Sequence, residues 1–316
     1  MRQRPRAALM IAVVAAVASL AGTAVAGPHF SVWSTAQKVD EIDGNSPDLN
    51  TQFLDGCPIQ SPDGLSLYMA TNRPGGHGLL DIWVARRETV NSPFGPPENL
   101  PAPINSAADD FCPTPVRGDG LIFVSRRMTA ESCGLGDIYV ARFNRTQGWS
   151  EPDHLGCAPE GPNSALDEQG PSYVEVDGQA YLYFSSSSAT VPGDIFVSEL
   201  LEGGFGPASA VDALNSPGND IQPNVRKDGL EVVFSSNNGY PGHQGAQDVY
   251  VSTRDAFGDA WSTPVNLGTA VNTSASETRP SLSWDAQTLY FGRAPGPEGM
   301  SDIYVATRTK QDGSVG

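Results

Sequence analysis

Short runs of aromatic and β-branched residues alternate along the chain with segments rich in glycine and proline. Past the N-terminus no stretch carries a helical period of useful length, so the pattern predicts strands joined by turns. One apolar run opens with aspartate and recurs five times, at 81–84, 137–140, 194–197, 248–251 and 302–305. The intervals of 56, 57, 54 and 54 residues indicate an internal repeat.

Each repeat predicts four strands. The first follows a repeated proline, and a tight turn, Asp-Gly in four of the five repeats, returns the chain into the second. The third carries the aspartate-led run, and in the first four repeats a fourth strand runs from an aromatic residue to an aliphatic one six residues later. Four-stranded units of roughly 55 residues are typical of propeller blades. We therefore expect an all-β fold, a five-bladed β-propeller of four-stranded blades over 27–316.

The fifth repeat is incomplete, because it holds three strands and then runs into a polar tail, 309–316. Near the N-terminus, Trp33 and Val39 have the six-residue spacing of a fourth strand. We expect residues of about 30–50 to complete the last blade, which closes the ring and removes an exposed sheet edge. A linear β-solenoid would not explain a repeat that is split between the two termini.

The first 26 residues, 1–26, have the features of a signal peptide. Arg2, Arg4 and Arg6 precede an uncharged apolar stretch, and small residues at 24–26 suit cleavage before Gly27. An uncleaved membrane anchor is the alternative, although the apolar run is short for a bilayer span. The expected location is therefore secreted or extracytoplasmic, with no transmembrane segment after cleavage.

The chain is strongly acidic, with a formal net charge of −17. Removal of the signal peptide and its three arginines changes this to −17 − 3 = −20. Such a surface repels phosphate backbones and anionic lipid, so we expect no nucleic-acid partner. The same charge keeps an exported protein soluble, and we expect a monomer.

Four cysteines fit an oxidising compartment. An even number suggests two disulfides, and the spacing matches no zinc pattern. We expect Cys57 to pair with Cys112, because both occupy the same position in adjacent repeats, and Cys133 to pair with Cys157 within the second repeat. Alternative pairings remain open, since all four are expected on one face of the molecule.

Three stretches resemble a known family. The run 67–76, just before the aspartate-led run at 81–84, resembles the bacterial WD-like repeat of TolB-type propellers, as do 266–268 (Asn-Leu-Gly) and 271–273 (Val-Asn-Thr). The resemblance covers about 33–308 and implies extracytoplasmic protein binding, while some relatives carry enzymatic sites. Five repeats depart from the six blades of TolB, and the chain lacks that family's extra N-terminal domain, so no Tol-complex role is carried over.

An acidic residue stands three positions before the repeated proline in every repeat. These rim acids are Asp55, Asp110, Glu168, Asp220 and Glu277. One interpretation is a carboxylate cluster that holds a cation such as calcium or performs acid–base chemistry. We favour a structural role, because a residue needed in every blade performs one task five times, such as accepting N–H groups of its own loop. Converging carboxylates would also repel one another.

Side chains that differ between repeats are better candidates for a binding site. The position just before the repeated proline holds Cys57, Cys112, Gly170, Gln222 and Arg279. We expect ligand binding at one side of the channel mouth, on the face that carries the long loops, by Gln169, Gln222, Thr278 and Arg279. His77 and His243 are interpreted as solvated loop residues, so no metal site and no cofactor is expected, with calcium at the acidic rim left open.

No catalytic motif is present: the chain has no Gly-x-Ser-x-Gly, His-Glu-x-x-His, P-loop or dinucleotide fingerprint. We therefore expect no catalytic residue and favour a binding or scaffold propeller that engages a protein or a cell-surface glycan. The alternative is a polysaccharide-active enzyme, a glycoside hydrolase or lyase, that uses acidic residues at the channel mouth. Acids bonded into their own loops would favour the first interpretation, and bare acids in a pocket the second.

Overall fold

The computed structural model describes residues 29–311, and within them the chain forms five antiparallel sheets around an axis. Two short strands come first: β1 (His29–Phe30) and β2 (Gln37–Lys38). Blade 1 consists of β3 (Asp55–Gln60), β4 (Ser66–Thr71), β5 (Asp81–Arg86) and β6 (Glu98–Asn99). Blade 2 consists of β7 (Asp110–Val116), β8 (Gly120–Ser125), β9 (Asp137–Asn144), β10 (Gly148–Trp149) and β11 (Asp153–His154).

The remaining blades follow in chain order. Blade 3 consists of β12 (Asp167–Val176), β13 (Gln179–Ser187), β14 (Asp194–Leu201) and β15 (Gly204–Ala210). Blade 4 consists of β16 (Asn219–Val225), β17 (Glu231–Asn237), β18 (Asp248–Thr253) and β19 (Val265–Asn266). The last strands are β20 (Ser276–Leu282), β21 (Thr288–Ala294), β22 (Asp302–Thr307) and β23 (Lys310–Gln311). Single 3-10 turns lie at Val39–Glu41, Pro47–Leu49 and Asp212–Leu214.

The first strand of each blade lies at the axis. β3, β7, β12, β16 and β20 each contact the first strands of both neighbouring blades, so the contacts run in a closed circle. The strands of blades 1, 3 and 4 follow one another in chain order, both β10 and β11 pair with β9 in blade 2, and the outermost strand of blade 5 comes from the N-terminal segment. The expected five-bladed propeller is confirmed.

The N-terminal segment completes blade 5. β2 pairs antiparallel with β22, which places Gln37 opposite Val305 and Lys38 opposite Tyr304. Val39 is fully buried, and Trp33 packs partly buried against the core between blades 4 and 5. The expected closure is confirmed, and it extends further, because β1 pairs with β23 in a separate two-stranded sheet. The tail expected at 309–316 is thus in part a strand.

One large side chain of the second strand fills the centre of each blade. These residues are fully buried in all five: Met69, Phe123, Phe184, Phe234 and Phe291. In blades 2 to 5 each stacks against the aromatic residue of the third strand, as Phe291 does with Tyr304 at 6.0 Å between ring centroids. The tryptophans at 33, 83, 149 and 261 serve the same packing.

A repeated asparagine joins each blade to the one before it. Asn105, in the loop that leads into blade 2, accepts from the amide of Ile82 (2.9 Å) and donates to its carbonyl (2.9 Å). The same pair of bonds recurs at Asn50, Asn163, Asn215 and Asn272. Each pair satisfies buried backbone groups of the preceding blade's third strand, which fixes the loop against it.

Both disulfides have the expected pairing. Cys57–Cys112 links the first strands of blades 1 and 2, and Cys133–Cys157 links two loops of blade 2. All four cysteines are therefore bonded. Between residues 29 and 311, no helix is long and apolar enough to cross a membrane. The expected signal peptide, 1–26, lies outside the described residues.

Candidate active site on blades 3 and 4

All five rim acids are fully buried in their own loops. Each is bound by a serine or threonine four residues earlier; Asp110 accepts from the amide (2.6 Å) and the hydroxyl (2.7 Å) of Ser106. The corresponding donors in the other blades are Thr51, Ser164, Ser216 and Thr273. The rim acids therefore form no open ring of carboxylates around the channel mouth. This bonding is the arrangement expected of a binding propeller, and among the rim acids only Glu168 and Asp220 keep an oxygen without a hydrogen-bond partner in the described residues.

Arginine neutralises the rim acid in only three blades. Asp55 pairs with Arg73 (2.6 Å), Asp110 with Arg127 (2.8 Å) and Glu277 with Arg293 (2.7 Å). Glu168 and Asp220, in blades 3 and 4, have no such partner among the residues that the structure describes. The sequence explains this difference, because Arg226, Lys227 and Arg254 are the only cationic side chains between 146 and 278.

Those three cations lie at the opposite face, where the tight turns are. Arg226 binds Asp228 (2.7 Å) and Glu231 in the turn of blade 4, and Arg254 donates to the carbonyl of Gly229 (2.7 Å). Lys227 belongs to the same turn. Blades 3 and 4 consequently supply no lysine or arginine of their own to their loop-rich face.

Glu168 carries the most perturbed carboxyl of the face. Burial raises its pKa to about 7, the charge of Asp137 acts in the same direction, and hydrogen bonds from Ser164 and Ser186 act against both. Ser186 Oγ donates to its Oε1 at 2.8 Å. Oε2 is buried and has no hydrogen-bond partner between residues 29 and 311. At neutral pH a substantial fraction of this side chain is therefore a neutral acid with a proton to donate.

A cavity of 330 Å³ borders Glu168. Its walls come from the loop after blade 2 and from strands of blade 3, and they are largely apolar: Pro159, Pro162, Leu166, Phe184, Phe196 and Pro207. A carboxyl group in apolar surroundings is the environment that keeps a catalytic acid protonated near neutral pH. The rim acid of blade 3 thus differs from that of blade 2, where Arg127 occupies the corresponding space beside Asp110.

The rim acid of blade 4 also has a buried oxygen without a hydrogen-bond partner in the described residues. Asp220 accepts from Ser216 through Oδ2, while its buried Oδ1 has no partner in the described part of the chain. Burial, followed by the charge of Asp220, raises the pKa of both Asp194 and Tyr240. No cation contributes to either shift. Glu168, Asp194 and Tyr240, three groups with raised pKa values, therefore all lie in blades 3 and 4.

Two grooves open over the loops of blades 3 and 4. Their volumes are 310 Å³ and 650 Å³, and they share Pro217, Gly218 and Asn237. The other polar side chains that line them are neutral or weakly basic: Ser188, Thr190, Asn219, Asn238 and His243. Hydroxyl, amide and imidazole groups of this kind hydrogen-bond a hydroxyl-rich ligand without requiring it to be charged.

The axial channel itself is too narrow for a ligand. Cys57, Cys112, Gly170, Gln222 and Arg279 form its neck, all at positive φ between 48° and 57°. The free volume is 30 Å³, about the volume of one water molecule. A ligand therefore meets this ring only from the mouth.

Three of the four expected binding residues lie together at that mouth. Gln222 donates from Nε2 to Oε1 of Gln169 (3.0 Å), and its own Oε1 accepts from the amide of Arg279 (3.1 Å). Thr278 lies opposite Gly292 in the sheet of blade 5, and within 29–311 no hydrogen bond joins it to the other three.

Sequence reasoning missed a charged cluster beside them. Arg126 bridges Asp109 (3.0 Å) and Asp167 (2.7 Å), with its guanidinium 5.1 Å from the ring of Phe111. Asp109 and Asp167 occupy the position just before the rim acid, which also varies between blades. The sequence could have indicated this cluster, because residues that differ between repeats were taken as candidates for a binding site and this position differs between repeats as well.

Comparisons place the fold among known structures. No protein-family model matches the chain, and no curated protein matches it either. The GH43 endo-arabinanase from Bacillus licheniformis is 14% identical, with a TM-score of 0.55 over 83% of this chain and 96% of that one. The catalytic domain of the Coprinopsis cinerea GH62 α-L-arabinofuranosidase is 11% identical, with a TM-score of 0.55 over 89% of this chain and 98% of that one.

A third structure with a similar fold is the α-L-arabinofuranosidase from Podospora anserina in complex with cellotriose, which is 13% identical. Its TM-score is 0.55 over 90% of this chain and 98% of that one.

At such identities the similarity establishes the fold alone. The expected resemblance to TolB-type, WD-like repeats is wrong, because the matching propellers are GH43 and GH62 proteins. The interpretation as a binding or scaffold propeller that engages a protein or a cell-surface glycan is contradicted too, because these neighbours are glycoside hydrolases.

Proposed function

We propose that this protein is an exported polysaccharide-active enzyme that hydrolyses glycosidic bonds on its loop-rich face, with Glu168 as the proton donor. The observation that carries the proposal is the unpaired Oε2 of Glu168 beside a 330 Å³ cavity, with burial raising the pKa of this carboxyl to about 7. The disulfides and the features of a signal peptide support export. The arabinan- and xylan-cleaving names of the structural neighbours support the class of substrate.

The chemistry follows from a neutral carboxylic acid. The Glu168 proton moves to the glycosidic oxygen as the bond between that oxygen and the anomeric carbon breaks. The oxygen of a water molecule bonds to the anomeric carbon, and the water's proton passes to a carboxylate. Asp220 is our candidate for that base, because it is the other rim acid without an arginine and its Oδ1 has no partner in the described residues. The polar grooves over blades 3 and 4 would hold the sugar hydroxyls.

The test is release of reducing ends from a panel of arabinan, xylan and uronate-containing polysaccharides. Wild-type protein should cleave at least one member, and Glu168→Gln should lower turnover at least 100-fold, within the range of general acid catalysis. Glu175→Gln is the matched control, because Glu175 is an exposed residue of the same strand, β12, at the turn face. Melting temperatures of both variants separate lost chemistry from lost folding.

Two results would overturn the proposal. One is the absence of turnover on every member of the panel by folded wild-type protein. The other is a Glu168→Gln variant that cleaves at the wild-type rate, which would show that the proton comes from elsewhere.

A further inference from the structure

Arg279 is a half-buried cation at the channel mouth, and none of the carboxylates between residues 29 and 311 neutralises it. Within residues 29–311 no acidic oxygen lies within 4 Å of its guanidinium, and the guanidinium makes no hydrogen bond. The three arginines that serve the rim acids, Arg73, Arg127 and Arg293, are each paired at 2.6–2.8 Å. Desolvation of an unpaired charge is unfavourable, so an arginine in this state is unusual in a folded protein.

The backbone of Arg279 is held in place. Its φ is 56°, in the left-handed region that disfavours a side chain, and its amide donates to Oε1 of Gln222. The same conformation recurs at the neck position of every blade, so it belongs to the repeated frame and fixes where the Arg279 side chain begins. The side chain reaches from blade 5 across the mouth, with Nη1 3.3 Å from the point that a Cβ on Gly56 would occupy and the guanidinium carbon 6.0 Å from the ring of Phe111. Gly56 leaves the space that this crossing requires.

The neighbouring charges leave Arg279 available to a ligand. Burial and then the charge of Arg126 lower its pKa to about 10, while Asp167 acts in the opposite direction. Asp167 already binds Arg126 at 2.7 Å. Arg126 is therefore committed to protein carboxylates, and the donors of Arg279 are the free ones at the mouth. The guanidinium remains charged at neutral pH.

The chemistry of the missing partner follows from these donors. A planar guanidinium matches a carboxylate with two parallel hydrogen bonds, which neutral hydroxyls do not reproduce. The 30 Å³ neck below admits only water, so the group that binds must project from a larger molecule lying on the loop-rich face. The amides of Gln169 and Gln222 lie beside it, and after their bonds to each other and to Asp167 each side-chain nitrogen retains one N–H for the hydroxyls around such a carboxylate.

We propose that Arg279 binds the carboxylate of a uronic acid residue, so that the glycan recognised on this face is anionic. The inference rests on the proposed function for the ligand being a glycan, and it specifies the class of that glycan. It also gives Arg279 a role on a chain of net charge −17, because a single cation at the mouth discriminates between an acidic and a neutral sugar.

The experiment is calorimetric titration of the Glu168→Gln variant, which removes the proposed proton donor so that the ligand stays intact. The probes are trisaccharides of galacturonate and of mannuronate, each as the free acid and as its methyl ester, with sodium sulfate as a simple anion. We expect at least one free acid to bind at least 10-fold more tightly than its ester. Arg279→Gln should abolish that preference. Arg279→Lys should retain part of it, because lysine keeps the charge but lacks the planar pair of N–H donors that binds both carboxylate oxygens.

Arg117→Gln is the matched control, since Arg117 lies in a turn of the opposite face against Trp284, 4.6 Å from its ring. It should leave both affinities unchanged. Equal affinity for acid and ester, no binding of either acid, a preference that survives Arg279→Gln, or binding of sulfate alone would each overturn the inference. Failure of the proposed function is distinguishable, because it leaves acid-specific binding intact while wild-type protein cleaves nothing.

Discussion

Asn50 and Ile303 lie 253 residues apart in the chain, yet Asn50 accepts from the Ile303 amide at 2.6 Å and donates to its carbonyl at 3.2 Å. The pair joins the loop before blade 1 to the third strand of blade 5. At the other junctions the same two bonds join blades that follow one another in the chain, between residues only 20–25 positions apart. Here they hold the two ends of the chain together, so the seam of the ring uses the same contact as every other junction.

Asn50→Ala should destabilise the fold by roughly 2 kcal/mol, because it leaves two buried backbone groups of Ile303 without partners. Equilibrium urea unfolding measures the change. Asn91→Ala, at an exposed position of blade 1, is the control and should cost nothing measurable. An unchanged unfolding midpoint for Asn50→Ala would mean that the seam does not depend on this residue.

Trp33→Ala should destabilise the protein by roughly 1–3 kcal/mol, less than for a fully buried aromatic residue. Trp33 is partly buried at the seam, and the guanidinium of Arg308 lies 4.4 Å from its ring. Deletion of 27–39 should be more severe, since it removes β2 and exposes an edge of blade 5. Thermal melting tests both, and a truncated protein with an unchanged melting curve would refute closure by the N-terminal segment.

The two disulfides should differ in their contribution to stability. The bond between Cys57 and Cys112 closes 55 residues, and chain entropy assigns it about 4 kcal/mol. The bond between Cys133 and Cys157 closes 24 residues, which corresponds to about 3 kcal/mol. Paired Cys→Ala variants, compared by urea unfolding, should follow this order, and the reverse order would show that loop length does not set the relative contributions of the two bonds.

Glu168 should make stability depend on pH. Well below pH 4.5 the side chain is neutral in both states, and as the pH rises from 4.5 to about 7 the unfolded chain loses this proton before the native state does. Stability should therefore fall by about 3 kcal/mol as the pH rises through this window and level off above it. Glu168→Gln removes this contribution, so its advantage over wild type should grow from pH 4.5 to 8. Parallel stability curves for the two proteins would contradict the raised pKa.

The repeat could be predicted from the sequence because its positions serve packing. Three repeated features pack the blades together: the aspartate-led run, the six-residue spacing from an aromatic to an aliphatic residue (33 and 39), and the asparagine at 50, 105, 163, 215 and 272. The same positions misled the assignment of family, since residues that fix inter-blade contacts recur in propellers of different function. The pairing of β1 with β23 was missed because a two-residue strand carries no hydrophobic period.

The candidate site was harder to predict because it depends on a difference between blades. The repeated acid is equivalent in sequence in all five blades, and its chemistry is set by an arginine that comes from elsewhere. The absence of any lysine or arginine from 146 to 225 was visible in the sequence and identifies Glu168 as an acid without a nearby cation in the chain. The cavity beside it required the structure, because the loop after blade 2 folds back over blade 3.

The most direct test of the account is the pH dependence of kcat/KM on the glycan that the wild-type protein cleaves best. A proton donor must carry its proton, so activity should decline above pH about 7, tenfold for each further pH unit, as Glu168 ionises. Glu168→Gln should show no such limb and only residual turnover. An activity that stays constant from pH 6 to 9, or a limb that survives in Glu168→Gln, would contradict the assignment of Glu168 as the catalytic acid.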